Sequence, residues 1–291
     1  MPFLRYVVNL PISVLTLMQM DFNRMQNTDT INLIKSKAVF GLNFSMLTLD
    51  QVVKMATCNT IGQHFPSRLL ITPNVDHIVT LHNNPIYKEA CHAAWLLTVD
   101  GFPVERFLSL VGVRIPERVT GADLFPKLMQ LMHPEKHRPC FMVATEFTRV
   151  FLNSWLEKHG FKESEVWVEV PPFGFEKDEE YANQFIKRLK EVQCTHLYMG
   201  VGAPKSEIWA YLHRDQIENM HVFCFGAAIE FFSENMIRAP LWMQRNGLEW
   251  AWRLACEPTR LAKRYLINSW KFFYYAGKEM LNQRKLGYGN K

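Results

Sequence analysis

Four absences narrow what this chain of 291 residues can be. Its six cysteines (Cys58, Cys91, Cys140, Cys194, Cys224, Cys256) include no C-x-x-C pair. That argues against a disulfide framework and a thiolate zinc site, and leaves reduced thiols as the simpler reading. No D-x-D occurs, so the usual carboxylate pair that holds a metal against a nucleotide diphosphate is missing, and no other metal site with convincing spacing replaces it. Neither G-x-G-x-x-G nor G-x-x-x-x-G-K-[ST] is present. Finally, no apolar run reaches the roughly 20 residues that a membrane-spanning helix needs. The opening MPFLRYVVNLPISVLTLMQM is broken by Arg5, Asn9 and Pro11 and lacks a basic n-region and a small-residue cleavage site. Residues 1–36 read as an extension, disordered or lying on a surface. Internal repeats and low-complexity tracts are also lacking.

What is present is an ordinary globular composition, 48% hydrophobic and 21% charged, long enough for one large α/β domain and an appendage. The charge is uneven. From Arg238 to the end, 11 Lys and Arg face three Glu, a balance of +8, whereas the whole chain is only +5. The stretch IRAPLWMQRNGLEWAWRLACEPTRLAKRY (237–265) interleaves six of those cations with tryptophans and a tyrosine, then leads into Trp270, Phe272, Phe273, Tyr274 and Tyr275. A nucleic-acid patch, a partner helix or an interfacial arm would each use such cations. The Trp-rich amphipathic character favours the interface, with cations at anionic lipid headgroups and rings at the acyl boundary, over nucleic acid.

Between residues 37 and 237 apolar runs alternate with helical stretches. The runs are 38–43, 68–72, 95–99, 140–144, 166–170, 196–201 and 222–225, and the helices fall at 49–63, 85–94, 121–132, 148–160, 178–192 and 204–218. This rhythm predicts a Rossmann-like, mostly parallel sheet covered by helices on both faces, with ligands gathered at the carboxyl ends of the strands. After Phe225 the rhythm stops, and 238–291 reads as a helical, membrane-associating appendage.

Candidate chemistry sits where runs end. In THLYMGVGAPKSEIW a strand leads through Gly200 and Gly202 to Pro204 at a helix start, with Lys205, Ser206 and Glu207 in the first turn; backbone N–H groups and the helix dipole there suit a phosphate. A plain tight strand-to-helix turn is the alternative. Asp100-Gly101 follows the run WLLTV and would present a carboxylate to a cleft, or simply form a turn. Thr72-Pro73-Asn74 precedes a helix that Asn74 and Asp76 would cap. His77 and His82 read as surface or core histidines.

Taken together, KAVFGLNFSMLTLDQ, TPNVDHIV, LTVDGFPV, RVTGADLF, GVGAPKSEIW, FGAAIEFFSENMIRAP and GLEWAWRLACEPTRLAKRY resemble, in order, the WecG/TagA/CpsF family of bacterial glycosyltransferases, over about residues 37–265. The resemblance implies an inverting, metal-independent enzyme without a cofactor. It would move a sugar from a UDP-sugar to a lipid diphosphate-linked sugar in exopolysaccharide or surface-glycan assembly, in the cytoplasm and peripheral on the inner face of the cell membrane. It also implies an α/β fold distinct from the commoner glycosyltransferase architectures. Carried over by position, Asp100 is the candidate general base and Thr72 and Asn74 line its pocket. Arg118, with Asp123 nearby, belongs to the active-site wall. Arg253, Arg260 and either Lys263 or Arg264 belong to a carboxyl-terminal segment that closes over the site and touches the membrane.

Two departures bear on the donor. The family's Pro-Lys-Gln-Glu is Pro204-Lys205-Ser206-Glu207 here, and its Gly-Gly turn is replaced by Ala144-Thr145-Glu146. Both point to altered donor choice, Glu146 by repelling an acidic sugar. Two other readings stay open: a nucleotide-binding, membrane-docking accessory protein of the same fold with altered catalysis, and a dinucleotide-dependent oxidoreductase. An apolar surface leaves room for a homodimer.

Overall fold

The computed structural model describes residues 37–58, 65–263 and 269–288, excluding the side chains of Arg260, Lys263, Ser269 and residues 285–288. The expected N-terminal extension lies outside the described residues.

Six short strands form one sheet: β1 (Arg68–Ile71), β2 (Leu96–Leu97), β3 (Pro139–Met142), β4 (Trp167–Glu169), β5 (His196–Met199) and β6 (His221–Cys224). Their order is β2-β1-β6-β5-β3-β4, and every pairing is parallel. A parallel sheet must be covered on both faces, so its strands are apolar on both sides. That is why RLLI, PCFM, HLYM and HVFC read as continuous runs. The two faces differ in chemistry because side chains alternate along a strand. One carries Leu69, Ile71, Cys140, Met142, Leu197, Met199, Val222 and Cys224 in the main apolar core. The other carries Phe141, Tyr198 and Phe223, which the register places side by side, with ring centroids 5.1 and 4.9 Å apart.

The helices are α1 (Leu49–Ala56), α2 (Val75–Asn83), α3 (Pro85–Ala93), α4 (Phe102–Leu110), α5 (Gly121–Leu131), α6 (Glu146–Lys158), α7 (Glu179–Glu191), α8 (Lys205–Leu212), α9 (Ala228–Phe232), α10 (Leu241–Arg245), α11 (Glu249–Cys256), α12 (Pro258–Lys263) and α13 (Ser269–Tyr288). Residues of α2, α3, α4, α7, α8 and α13 enter the first core. Phe125 of α5 and Phe232 of α9 meet the aromatic face edge-on or each other. The predicted doubly covered α/β sheet is therefore observed.

Several sequence-based bounds change. The run 38–43 is not a strand of the sheet: Phe40 (φ 56°) and Gly41 (φ 75°) turn the chain back on itself, leaving one antiparallel bridge between Val39 and Leu42. Its apolarity reflects a buried turn, since Val39, Phe40, Leu42 and Phe44 are all enclosed. The helix expected over 49–63 ends at Ala56, with 59–64 outside the described residues, and that over 204–218 ends at Leu212. One helix absent from the sequence reading, α4, begins at the turn that carries Asp100, whereas α2 starts directly after Asn74, where the capping reading expects a helix. Asn74 caps α2 through Oδ1, which accepts the N–H groups of Asp76 and His77.

The carboxyl-terminal segment packs against the sheet domain. Phe272 and Ala276 of α13 are buried in the main core, and Tyr275 stacks on His82 at 3.9 Å. No helix among the described residues is long and apolar enough to cross a membrane.

Candidate active site

At the carboxyl edge of the sheet, residues following β1 (Thr72, Asn74), β2 (Asp100, Gly101), β3 (Ala144), β5 (Gly200, Gly202) and β6 (Phe225, Gly226) surround a cavity of about 770 Å³. Arg118 completes one wall, and Gly247, Glu249, Trp250, Arg253, Trp270 and Phe273 close it from the carboxyl-terminal segment. The volume suits a ligand well above fragment size.

Asp100 is presented by a sharp turn. Its N–H donates to the Pro73 carbonyl at 3.0 Å, tying the ends of β1 and β2 together. Gly101 then takes φ +102°, a conformation that L side chains rarely adopt, and α4 starts with Pro103 in its first turn. The carboxyl group stands at the cavity wall. Its pKa is pushed up to about 6, first by burial and then by Glu249, while His77, Arg253 and Arg118 pull the other way. A carboxylate with this value is mostly ionised at neutral pH yet still a competent proton acceptor.

Both arginines are fixed by neighbours. Arg118 pairs with Glu105 at 3.8 Å and donates from Nη2 to the Gln244 carbonyl at 3.3 Å, so the wall residue is also a strap on the segment that closes the cavity. The Arg253 guanidinium lies over the Phe231 ring at 5.7 Å, and its buried Nε has no hydrogen-bond partner among the described residues. Gly247 presses on Phe102, two residues after Asp100: a Cβ there would stand 2.5 to 2.8 Å from three Phe102 atoms.

The remaining predicted residues separate into three groups. Thr72, Asn74, Gly200, Gly202 and Glu207 join Asp100, Arg118 and Arg253 around the cavity. Asp123, Lys205 and Ser206 do not line it. Asp123 takes the Thr120 hydroxyl at 2.7 Å and pairs with Arg238 at 2.8 Å, which anchors the start of the carboxyl-terminal segment. Lys205 turns to Glu176 (3.6 Å) and lies over the Phe173 ring (5.4 Å). Ser206 is buried, with Oγ donating back to the Gly202 carbonyl at 3.4 Å. Glu146 is exposed and held by Arg149 at 2.6 Å. Arg260 and Lys263 belong to α12, but their side chains, like Arg264 altogether, lie outside the described residues.

Two cavity carboxylates were not singled out for their own chemistry. Glu230 Oε2 accepts from the Thr148 hydroxyl at 2.8 Å and from Asn235, while Oε1 has no partner among the described residues. Glu249, in the first turn of α11, also pairs with Arg238 at 3.7 Å. No spacing rule points to either. Both sit in matched family segments, and that is the signal that was available.

The sequence model of the glycosyl transferase WecG/TagA/CpsF family matches residues 37–286. Among curated proteins, the chain is similar to the N-acetylglucosaminyldiphosphoundecaprenol N-acetyl-β-D-mannosaminyltransferases of Staphylococcus aureus strains NCTC 8325 and MRSA252. Each is 20% identical over 229 residues, covering 77% of this chain and 86% of the relative.

Proposed function

Since the chain belongs to the WecG/TagA/CpsF family of glycosyltransferases, we propose that it transfers an N-acetylhexosamine from a UDP-sugar to an N-acetylglucosaminyl diphosphate lipid, with inversion and with Asp100 as the base. The relatives' names supply the acceptor and the sugar class. The carrying observation is the position of Asp100: a carboxyl group at a strand's carboxyl end, its pKa raised to about 6, in a cavity that also holds Arg118 and Arg253.

The step balances without a metal. An acceptor hydroxyl gives its proton to Asp100 while its oxygen attacks the anomeric carbon of the donor. The bond from that carbon to the diphosphate oxygen breaks, and its electron pair leaves on UDP. Arg118 and Arg253 stabilise the charge that develops on the diphosphate. The unpartnered Nε of Arg253 supports this role.

A membrane surface suits the cavity mouth. Trp250, Trp270 and Phe273 line the cavity and are also exposed, Trp270 at 70%, and Trp242 and Tyr274 of the same carboxyl-terminal segment are exposed too. Rings seated at the acyl boundary, with the local surplus of cations at the headgroups, would bring a lipid-borne diphosphate to the opening from the inner face of the membrane. The test is direct: UDP release and sugar transfer from UDP-N-acetylmannosamine to a short-chain lipid diphosphate N-acetylglucosamine. UDP release without transfer to that acceptor would overturn the acceptor assignment.

A further inference from the structure

The turn that carries Asn74 is held by an imidazole. His77 stands in the first turn of α2, and its Nδ1 accepts the Asn74 N–H at 3.2 Å. The ring proton is thereby placed on Nε2, which donates to Glu207 Oε1 at 3.3 Å. The Glu207 side chain is only 2% exposed. Both residues line the cavity, yet Glu207 Oε2 has no hydrogen-bond partner among the described residues. A buried carboxylate oxygen left unanswered is costly, and a ligand that brings a donor removes that cost.

The donor belongs to a neutral group. Glu207 lies in the first turn of α8, where its own negative charge already faces the helix dipole. A phosphate placed beside it would meet a like charge, so the diphosphate belongs with Arg118 and Arg253. What fits next to Glu207 is a hydroxyl of a pyranose.

We propose that Glu207 is a sugar-binding residue whose Oε2 accepts a hydrogen bond from one hydroxyl of the pyranose entering the cavity, and that His77 is the positioning residue that holds Glu207 and ties it to Asn74. The assignment rests on the glycosyl-transfer reading above. It makes the pair a determinant of sugar choice, because a site built to bond a hydroxyl discriminates strongly against the analogue lacking it.

Two variants and a set of monodeoxy sugars test it. Glu207→Gln keeps the shape and still accepts from His77 Nε2, but puts an amide N–H₂ in the place of the Oε2 acceptor. His77→Gln keeps the capping contact to the Asn74 N–H, since a glutamine at that position reaches back to it, but gives up the hold on Glu207. Binding of UDP and of UDP-N-acetylmannosamine is measured by calorimetry. KM and kcat are measured for the short-chain lipid diphosphate N-acetylglucosamine, each with monodeoxy versions of the sugars. UDP affinity is expected to be unchanged in both variants. Glu207→Gln should weaken either donor-sugar binding or acceptor KM by roughly 10- to 100-fold, as for a lost hydrogen bond to a charged group, with a smaller loss in the same parameter for His77→Gln. One monodeoxy sugar should cost the wild type that much and Glu207→Gln little, which also tells donor from acceptor.

Additive losses for every deoxy sugar, or an equal loss of UDP affinity, would overturn the proposal and leave the transfer reading standing. Should Glu207→Gln not fold, the wild type and His77→Gln decide, and no sensitivity to any single hydroxyl sinks the idea. A wild type that binds these sugars but transfers none refutes the transfer reading, while the binding arm still decides the role of Glu207.

Discussion

Replacing Asp100 with Asn should stabilise the protein while disabling it. Folding raises the pKa of the Asp100 carboxyl from 3.8 to about 6, chiefly by burial. Below the unfolded value of 3.8 the group is protonated in both states and costs nothing. As the pH rises through about 6, the folded state must bear a charge that the unfolded chain carries in water. A rise of that size corresponds to about 3 kcal/mol, an upper value because the unfolded chain is itself not fully solvated. Asn keeps the shape and never ionises. At pH 7.5 the variant should therefore melt higher, by up to roughly 5 °C for a chain of this size, and the gain should shrink towards zero near pH 4. Thermal melts of both proteins between pH 4 and 8 measure this. A variant that is less stable at pH 7.5, or a gain that does not depend on pH, would refute the burial argument for Asp100.

Gly247→Ala tests the seating of the carboxyl-terminal segment. A methyl at φ +71°, less than 3 Å from the Phe102 ring, should cost roughly 1–3 kcal/mol by overpacking and more by strain, visible as a lower melting temperature and faster proteolysis after Arg238. Transfer should survive in excess EDTA if Arg118 and Arg253 carry the proposed stabilisation of the leaving diphosphate; loss in EDTA with rescue by Mg²⁺ or Mn²⁺ would contradict that role. Binding to anionic liposomes should weaken with salt and with Trp270→Ala plus Phe273→Ala, since each nearby cation is worth about 1 kcal/mol. Sedimentation with vesicles at rising salt reads this, and no dependence on either change would remove the membrane assignment.

The sheet was legible because burial on both faces writes strands as plain apolar runs, and HLYM and HVFC carry that mark. The same mark misleads at 38–43, where enclosure comes from a left-handed turn at Phe40-Gly41 and not from pairing. Helix α4 was missed although Pro103 sits in its first turn, because the preceding Asp-Gly reads as a loop. The Thr72-Asn74 turn, Asp100, Arg118 and Arg253 are distant in sequence and could be grouped only through the family pattern. The parallel register and the docked carboxyl-terminal segment are what bring them to one cavity. His77 escaped because a histidine at a helix start has no functional signature until its partner, 130 residues away, is in view. Lys205 and Ser206 show the reverse: their motif is sound, but the helix turns one side chain to Glu176 and the other back to Gly202.

The central claim is that Asp100 takes the proton in a sugar transfer to a lipid diphosphate acceptor. The measurement that meets it most directly is kcat for that transfer, wild type against Asp100→Asn, with UDP affinity measured on the same preparations. The account predicts a loss of roughly 10²- to 10⁴-fold in kcat at unchanged UDP affinity, and a wild-type kcat/KM that falls as the pH drops through about 6. An Asp100→Asn protein that turns over near the wild-type rate would contradict it.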